Sequence, residues 1–382
     1  MERKPLPFDA ELTEYEKQAE ALLAAHGTGD PLALKIFHEN HPRFLDEKIT
    51  WLPKFIPDSE IQEAALDIED ARLALARSYS FRDWTALVEY VDAVQQGGSV
   101  FRFESAVEAV INGSLEALGS LLREEPKLIH ARSTRICCFD PPAHRATLLH
   151  YIGANGVEGY RQKTPSNAVE VAKILLDAGA EVDATADMYG APCTTMTMLV
   201  SSSHPHEAGS QVPLVETLLD YGAAIEGAGT DKWGTPLMTA LIFGYPEAAK
   251  ALAKRGARID DVAPAAGLGR LEDAERLLPD ADAESRHRAL ALAAMHGYAE
   301  IVRLLLDTGE DPDRYNPDGF HSHATPLHHA AVAGHEAVVR LMADRGASLS
   351  IKDTIYHGTP LGWAEHGGQT EIAQFLRERG AK

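Results

Sequence analysis

Histidine has the widest chemical reach of any residue type in this chain. There are 17, several in close pairs: His144 and His150, His204 and His206, His321 and His323, His328 and His329. Imidazoles bind zinc where several ligands converge, and thiols often join them. The available thiols are Cys137, Cys138 and Cys193. None of the spacings matches a zinc module, and adjacent cysteines are poorly placed to chelate together, so structural or surface roles are expected and no metal or cofactor is assigned. Catalysis needs a nucleophile beside a base, a glycine-rich phosphate loop or paired carboxylates. The sequence holds no P-loop, G-x-S-x-G or H-E-x-x-H string. One polar set remains as an alternative pocket for a small molecule or an acid–base reaction: His144, Tyr160, Arg161, His204 and His206, beside two long stretches at 157–165 and 201–213.

The elements that must position these residues are repeated. Thr235-Pro-Leu-Met-Thr-Ala with Gly244, Thr325-Pro-Leu-His-His-Ala with Gly334, and Thr359-Pro-Leu-Gly-Trp-Ala with Gly368 align without gaps. Each then runs into an apolar helix that ends in Gly-Ala. Threonine caps free N–H groups at a helix start, and proline fits the first turn, where no N–H is needed. The glycine nine residues on permits the left-handed turn that ends the first helix. The second helix carries apolar residues at helical spacing, as at Ile301, Leu304 and Leu305. One such pair cannot bury that face alone, so neighbours must stack.

This pattern resembles the ankyrin repeat, with its T-P-L-H-x-A motif and period of about 33 residues. Weaker copies start at Thr147, Thr194 and Ala289, a short one surrounds Gly269, and a degenerate one begins at Phe101. The expected fold is all-α, a solenoid of about eight ankyrin units over residues 101–382 behind an N-terminal helical capping domain at 1–100. Within that domain, helices are expected over Ala10–Ala25, from Asp30-Pro31, from Ser59 to about Ser78, and after Asp83. The stretch DIEDARLALARSYSFRDWTALVEYV resembles a segment that precedes the repeats of uncharacterised bacterial ankyrin proteins.

The resemblance implies a protein-binding module. Residues just before the Thr-Pro of each unit would stand at hairpin tips beside a concave face; they are Phe139, Tyr189, Trp233, Phe320 and Tyr356. The same register puts Tyr151, Asn155, Phe243, His296, His329, Trp363 and His366 on the inner helices. The partner-binding candidates are therefore Phe139, Tyr151, Tyr189, Trp233, Phe243, Phe320, His329, Tyr356 and Trp363. His150 and His328 occupy the histidine place of the motif, which implies hydrogen bonds between loops.

Composition narrows the partners. A net charge of −21, from 36 Lys+Arg against 57 Asp+Glu, repels phosphate backbones, so neither nucleic acid nor an anionic membrane is expected. No apolar run approaches the ~18 residues of a membrane span, and the first twenty residues lack the apolar stretch of a secretory signal. Three cysteines are too few for a disulfide framework, which points to the cytoplasm. A binding protein is expected rather than an enzyme.

Overall fold

Aspartate side chains cap three helices of the N-terminal segment, at Asp30, Asp67 and Asp83. The Asp30 carboxylate accepts from the backbone N–H of Leu32 and Ala33 at 3.0 and 3.1 Å, and Pro31 opens the helix Pro31–Asn40. Before it runs Leu12–Gly27, and after Asp83 runs Trp84–Gln95. The single helix expected from Ser59 to Ser78 is two, Asp58–Gln62 and Ile68–Ser78. The break comes from Asp67. Its side chain accepts from Glu69 and Asp70 N–H, while the Asp70 carboxylate accepts from Asp67 N–H, so a capping box starts the second helix afresh.

The computed structural model describes residues 5–154, 158–188, 190–227 and 233–381. It divides into two units, residues 1–223 and 224–382. In the first unit, Tyr15, Leu22, Phe37, Leu75, Phe81 and Leu87 form part of one buried core. Helix pairs follow that core: Ser99–Ile111 with Leu115–Glu124, the 3-10 turn Leu148–Gly153 with Ala168–Asp177, and Thr195–Leu199 with Gln211–Asp220. The second long stretch holds a short helix, Ser203–Glu207. A two-stranded antiparallel hairpin, β1 (Thr185–Met188) and β2 (Ala191–Thr194), pairs Thr185 with Thr194 and Met188 with Ala191.

The second unit is a run of helix pairs. The first helices are Pro236–Ile242, Val262–Gly267, Ala283–Met295, Pro326–Val332 and Pro360–His366. Their partners are Pro246–Lys254, Leu271–Leu277, Ala299–Asp307, Glu336–Asp344 and Thr370–Glu378. Thr235 and Thr359 cap as expected, accepting from Met238 N–H and Gly362 N–H at 3.3 Å. Gly244 and Gly334 adopt φ of +81° and +82°, the left-handed turn that only glycine enters without strain. Each second helix buries one stripe, as with Ile301, Val302 and Leu305, or Val338, Val339 and Met342. Each such side chain contributes about 1.5–3 kcal/mol when fully buried. The all-α repeat solenoid expected from the motifs is the fold observed. Among the described residues, no helix is long and apolar enough to cross a membrane.

Candidate functional site

Two histidines rivet neighbouring repeats. Thr325 N–H donates to His328 Nδ1 at 3.2 Å, which makes that nitrogen an acceptor. Nε2 therefore carries the proton and donates to the carbonyl of Gly358, one repeat on, at 3.2 Å. His150 repeats the arrangement in the first unit: Thr147 N–H donates to Nδ1 at 3.1 Å, and Nε2 lies 3.3 Å from the carbonyl of Cys193. Burial lowers both imidazole pKa values, that of His150 to about 4. Charging either ring would mean holding a cation away from water.

In the second unit, rings from three of its repeats touch in a row. Phe243 meets His321 at 6.4 Å between centroids, His321 meets His329 at 5.0 Å, and His329 meets Trp363 at 5.4 Å. Trp363 also meets His323, which meets Tyr356, both at 5.9 Å. The ends of the row are open, with Phe243 48% and Tyr356 47% exposed. Its middle is held rigidly. His321 Nε2 lies 3.1 Å from the Ile242 carbonyl, and His296 Nε2 lies 2.9 Å from the Leu241 carbonyl. Both brace the last turn of the helix Pro236–Ile242, where the Leu241 carbonyl also accepts from Gly244 N–H at 3.2 Å. The Asp353 carboxylate accepts from the N–H groups of Ile355, Tyr356 and Gly358 and from the Trp363 indole. Burial raises its pKa, but these donors outweigh burial and hold it below the usual carboxylate value.

Several expected contact residues lie elsewhere. Phe320 is fully buried, stacked on His329 at 6.0 Å and 13° between planes, so it is a packing residue rather than an exposed tip. His329 is also buried, its Nε2 without a hydrogen-bond partner among the described residues and its pKa lowered to about 3 by burial and by neighbouring imidazoles. Trp233 is half-buried beneath the Arg288 guanidinium, 4.4 Å from the ring centroid. Phe139 is 39% exposed in the first unit. Tyr189 and Asn155 lie outside the described residues.

The alternative pocket is assembled only in part. His144, Tyr160 and Arg161 converge in the first unit, and the residue that joins them is Glu158, which sequence reasoning missed. Arg135 donates to Glu158 and to the Tyr160 hydroxyl, both at 2.9 Å. Arg161 donates to Glu158 at 3.1 Å and also pairs with Glu104 and Glu108. Ala146 N–H donates to His144 Nδ1, so Nε2–H of His144 donates to Glu158 at 3.1 Å. The Tyr151 hydroxyl donates to the same carboxylate at 2.7 Å. Burial raises the Glu158 pKa, yet Arg135, Arg161 and His144 together hold it well below the ordinary value. Arg135 also lies 4.2 Å from the Phe81 ring centroid and 4.6 Å from that of Tyr90. The adjoining cavity of ≈ 20 Å³, lined by Tyr151, Glu158 and Arg161, has room for about one water. His204 is half-buried and His206 exposed on the helix Ser203–Glu207, and neither lines that cavity. Among the described residues, no group of three His, Cys, Asp or Glu is placed to hold a metal ion.

The repeat geometry agrees with comparisons to known proteins. A family model described as ankyrin repeats (3 copies) matches residues 264–353 and 290–382. The chain is 29% identical over 220 residues to the ankyrin repeat and KH domain-containing protein mask-1 of Caenorhabditis elegans, covering 56% of this chain and 8% of that protein. It is 34% identical over 106 residues to the ankyrin repeat and SAM domain-containing protein 6 of Mus musculus, covering 27% and 11%. It is 30% identical over 92 residues to the inactive serine/threonine-protein kinase TEX14 of the same species, covering 23% and 6%. The chain thus spans a small part of each of these longer relatives. What they share with it is the repeat, and ankyrin repeats are protein–protein interaction modules. With the Thr359 cap, the left-handed Gly334 and the His328 rivet in register, residues 264–382 are ankyrin repeats.

Proposed function

We propose that this chain is an interaction scaffold that holds a partner protein on the concave face of its C-terminal repeats, along the row from Phe243 to Tyr356. The observation that carries this reading is the row itself: open aromatic ends joined through rings that are already fixed by hydrogen bonds. Aromatic anchors that are rigid before binding lose little entropy on association and serve as hot spots. Burial lowers the pKa of the imidazoles between them, His321, His323 and His329, so they bring no charge to desolvate. Free thiols at Cys137, Cys138 and Cys193 support a reducing, cytoplasmic setting for this role.

The N-terminal helical segment caps the first helix pair in this reading, supported by the Tyr90 hydroxyl donating to Glu104 at 3.1 Å. A second reading, a small-molecule site under the 157–165 stretch, draws less support from the Glu158 cluster, whose polar groups face one another. The test is affinity capture with wild type and with the double variant Phe243→Ala/Tyr356→Ala, then measurement of the affinity of the purified partner. A partner bound at least about tenfold more tightly by wild type, ~1.4 kcal/mol, supports the reading. Equal affinity for both proteins removes it.

A further inference from the structure

The first unit carries an open groove of ≈ 1110 Å³, far from filled by its own side chains. Small-molecule sites run to about 300–1,000 Å³, so the space accommodates an organic ligand. Trp51 and Phe139 stand on its walls, 59% and 39% exposed. The walls are fixed to each other: Arg82 N–H donates to the Ile136 carbonyl at 3.0 Å, and Cys138 N–H to the Ser80 carbonyl at 3.3 Å.

The charges lining the groove are unequal. Arg82 is bonded to Asp83 at 2.7 Å, Glu39 lies 3.7 Å from Lys35, and Asp140 is exposed to water. Arg77 remains. It is half-buried, and its guanidinium makes no hydrogen bond or ion pair among the described residues. The two buried arginines nearby, Arg135 and Arg161, are both paired with carboxylates. A half-buried cation without a counterion is an exception in a chain of net charge −21, whose wider surface repels anions.

We propose that this groove binds an organic carboxylate, its apolar body between Trp51 and Phe139 and its carboxylate in a forked pair with the Arg77 guanidinium. A planar guanidinium holds a carboxylate through two parallel hydrogen bonds, which an ammonium does not reproduce. This site is separate from the protein-binding row, and either proposal can fail without the other.

Cys138, half-buried on the same groove, serves as the reporter. Its thiolate sulfur displaces iodide from iodoacetate or iodoacetamide to form a thioether, and the two reagents are alike in size but differ in charge. The ratio of their rates at Cys138 cancels any change in thiolate fraction, and dividing by the ratio at free glutathione cancels their different intrinsic reactivity. Peptide mass spectrometry reads Cys138 separately, with Cys193 as the internal control. The expected ratio is about fivefold higher in wild type than in Arg77→Gln, the effect of ~1 kcal/mol from one screened charge. Phenylacetate slows Cys138 labelling in wild type by both reagents, whereas phenylacetamide and inorganic phosphate do not. Equal ratios in the two proteins, or equal protection by phenylacetate and phenylacetamide, would overturn the proposal. Protection by phosphate as strong as by phenylacetate also overturns it, since the groove would then attract any anion. Should Arg77→Gln fail to fold, the comparison of the three competitors on wild type decides alone.

Discussion

The Asp353 carboxylate accepts the indole Nε1–H of Trp363 at 3.1 Å while the same side chain accepts three backbone N–H groups from the loop at 355–358. One buried anion thus fixes both the loop that carries Tyr356 and the first-helix residue it faces. Replacing it with alanine leaves four donors short of a partner, each costing about 1–3 kcal/mol where water cannot reach. Asp353→Ala is expected to destabilise the protein by roughly 3 kcal/mol, since the loop rehydrates in part. Urea denaturation checks this. An unchanged midpoint would show that the loop holds its shape without the carboxylate.

Glu158 plays the corresponding part in the first unit, and its loss should cost more. Glu158→Gln removes the carboxylate shared by Arg135 and Arg161 and leaves two buried guanidinium groups under-compensated. Breaking a buried ion pair from one side costs about 3–5 kcal/mol. The variant is expected to melt markedly earlier or to accumulate as insoluble protein. A melting temperature within about two degrees of wild type, a change of about 1 kcal/mol for a unit of this size, would mean that water enters and solvates the arginines.

The repeats were legible because each of their signals is local. The cap at Thr235, the proline behind it and the left-handed Gly244 act within one turn of where they stand. The break at Asp67 was equally local, but the helical spacing of Ile61, Ala65 and Ile68 runs straight across it and masks the capping box. Glu158 gave no local signal. It is one acid in a polar stretch, and the arginine that defines its role, Arg135, is 23 residues away. The available hint was Arg135 itself, a charge set against the apolar run Ile136-Cys137-Cys138-Phe139. Phe320 and Phe243 were equally apolar candidates for a contact face. Which one faces water depends on the turn 317–324, where Ala324 N–H donates to the His321 carbonyl and folds Phe320 inward.

Acid should destabilise the protein through its buried histidines. Burial lowers the pKa of His150 to about 4 and, with the neighbouring imidazoles adding to it, that of His329 to about 3, against ~6.5 in an unfolded chain. The unfolded state therefore takes up the proton first. The stability each ring contributes is complete above about pH 6.5, declines below that, and is gone once pH has fallen through its folded value. At pH 5 the loss is roughly 2 kcal/mol per ring. His329→Phe removes one titration and an unpartnered buried nitrogen while keeping a ring between Phe320 and Trp363. Its urea midpoint is expected to fall less than that of wild type between pH 7 and pH 5. Parallel curves would show that His329 does not contribute to the acid sensitivity.

Phe243 and Phe320 offer the sharpest separation of binding from folding. Both rings contact His321, at 6.4 and 5.7 Å, but Phe243 is 48% exposed and Phe320 is fully buried. Phe320→Ala opens a cavity against His329 and is expected to cost about 3–5 kcal/mol of stability. Phe243→Ala removes surface that water already covers in part, so its cost should stay below about 1 kcal/mol. If the row from Phe243 to Tyr356 is where a partner sits, Phe243→Ala weakens binding at least about tenfold with the circular dichroism spectrum and urea midpoint unchanged. The opposite pattern, with Phe243→Ala destabilising the fold and leaving affinity intact, would assign Phe243 to packing and move the contact surface away from this row.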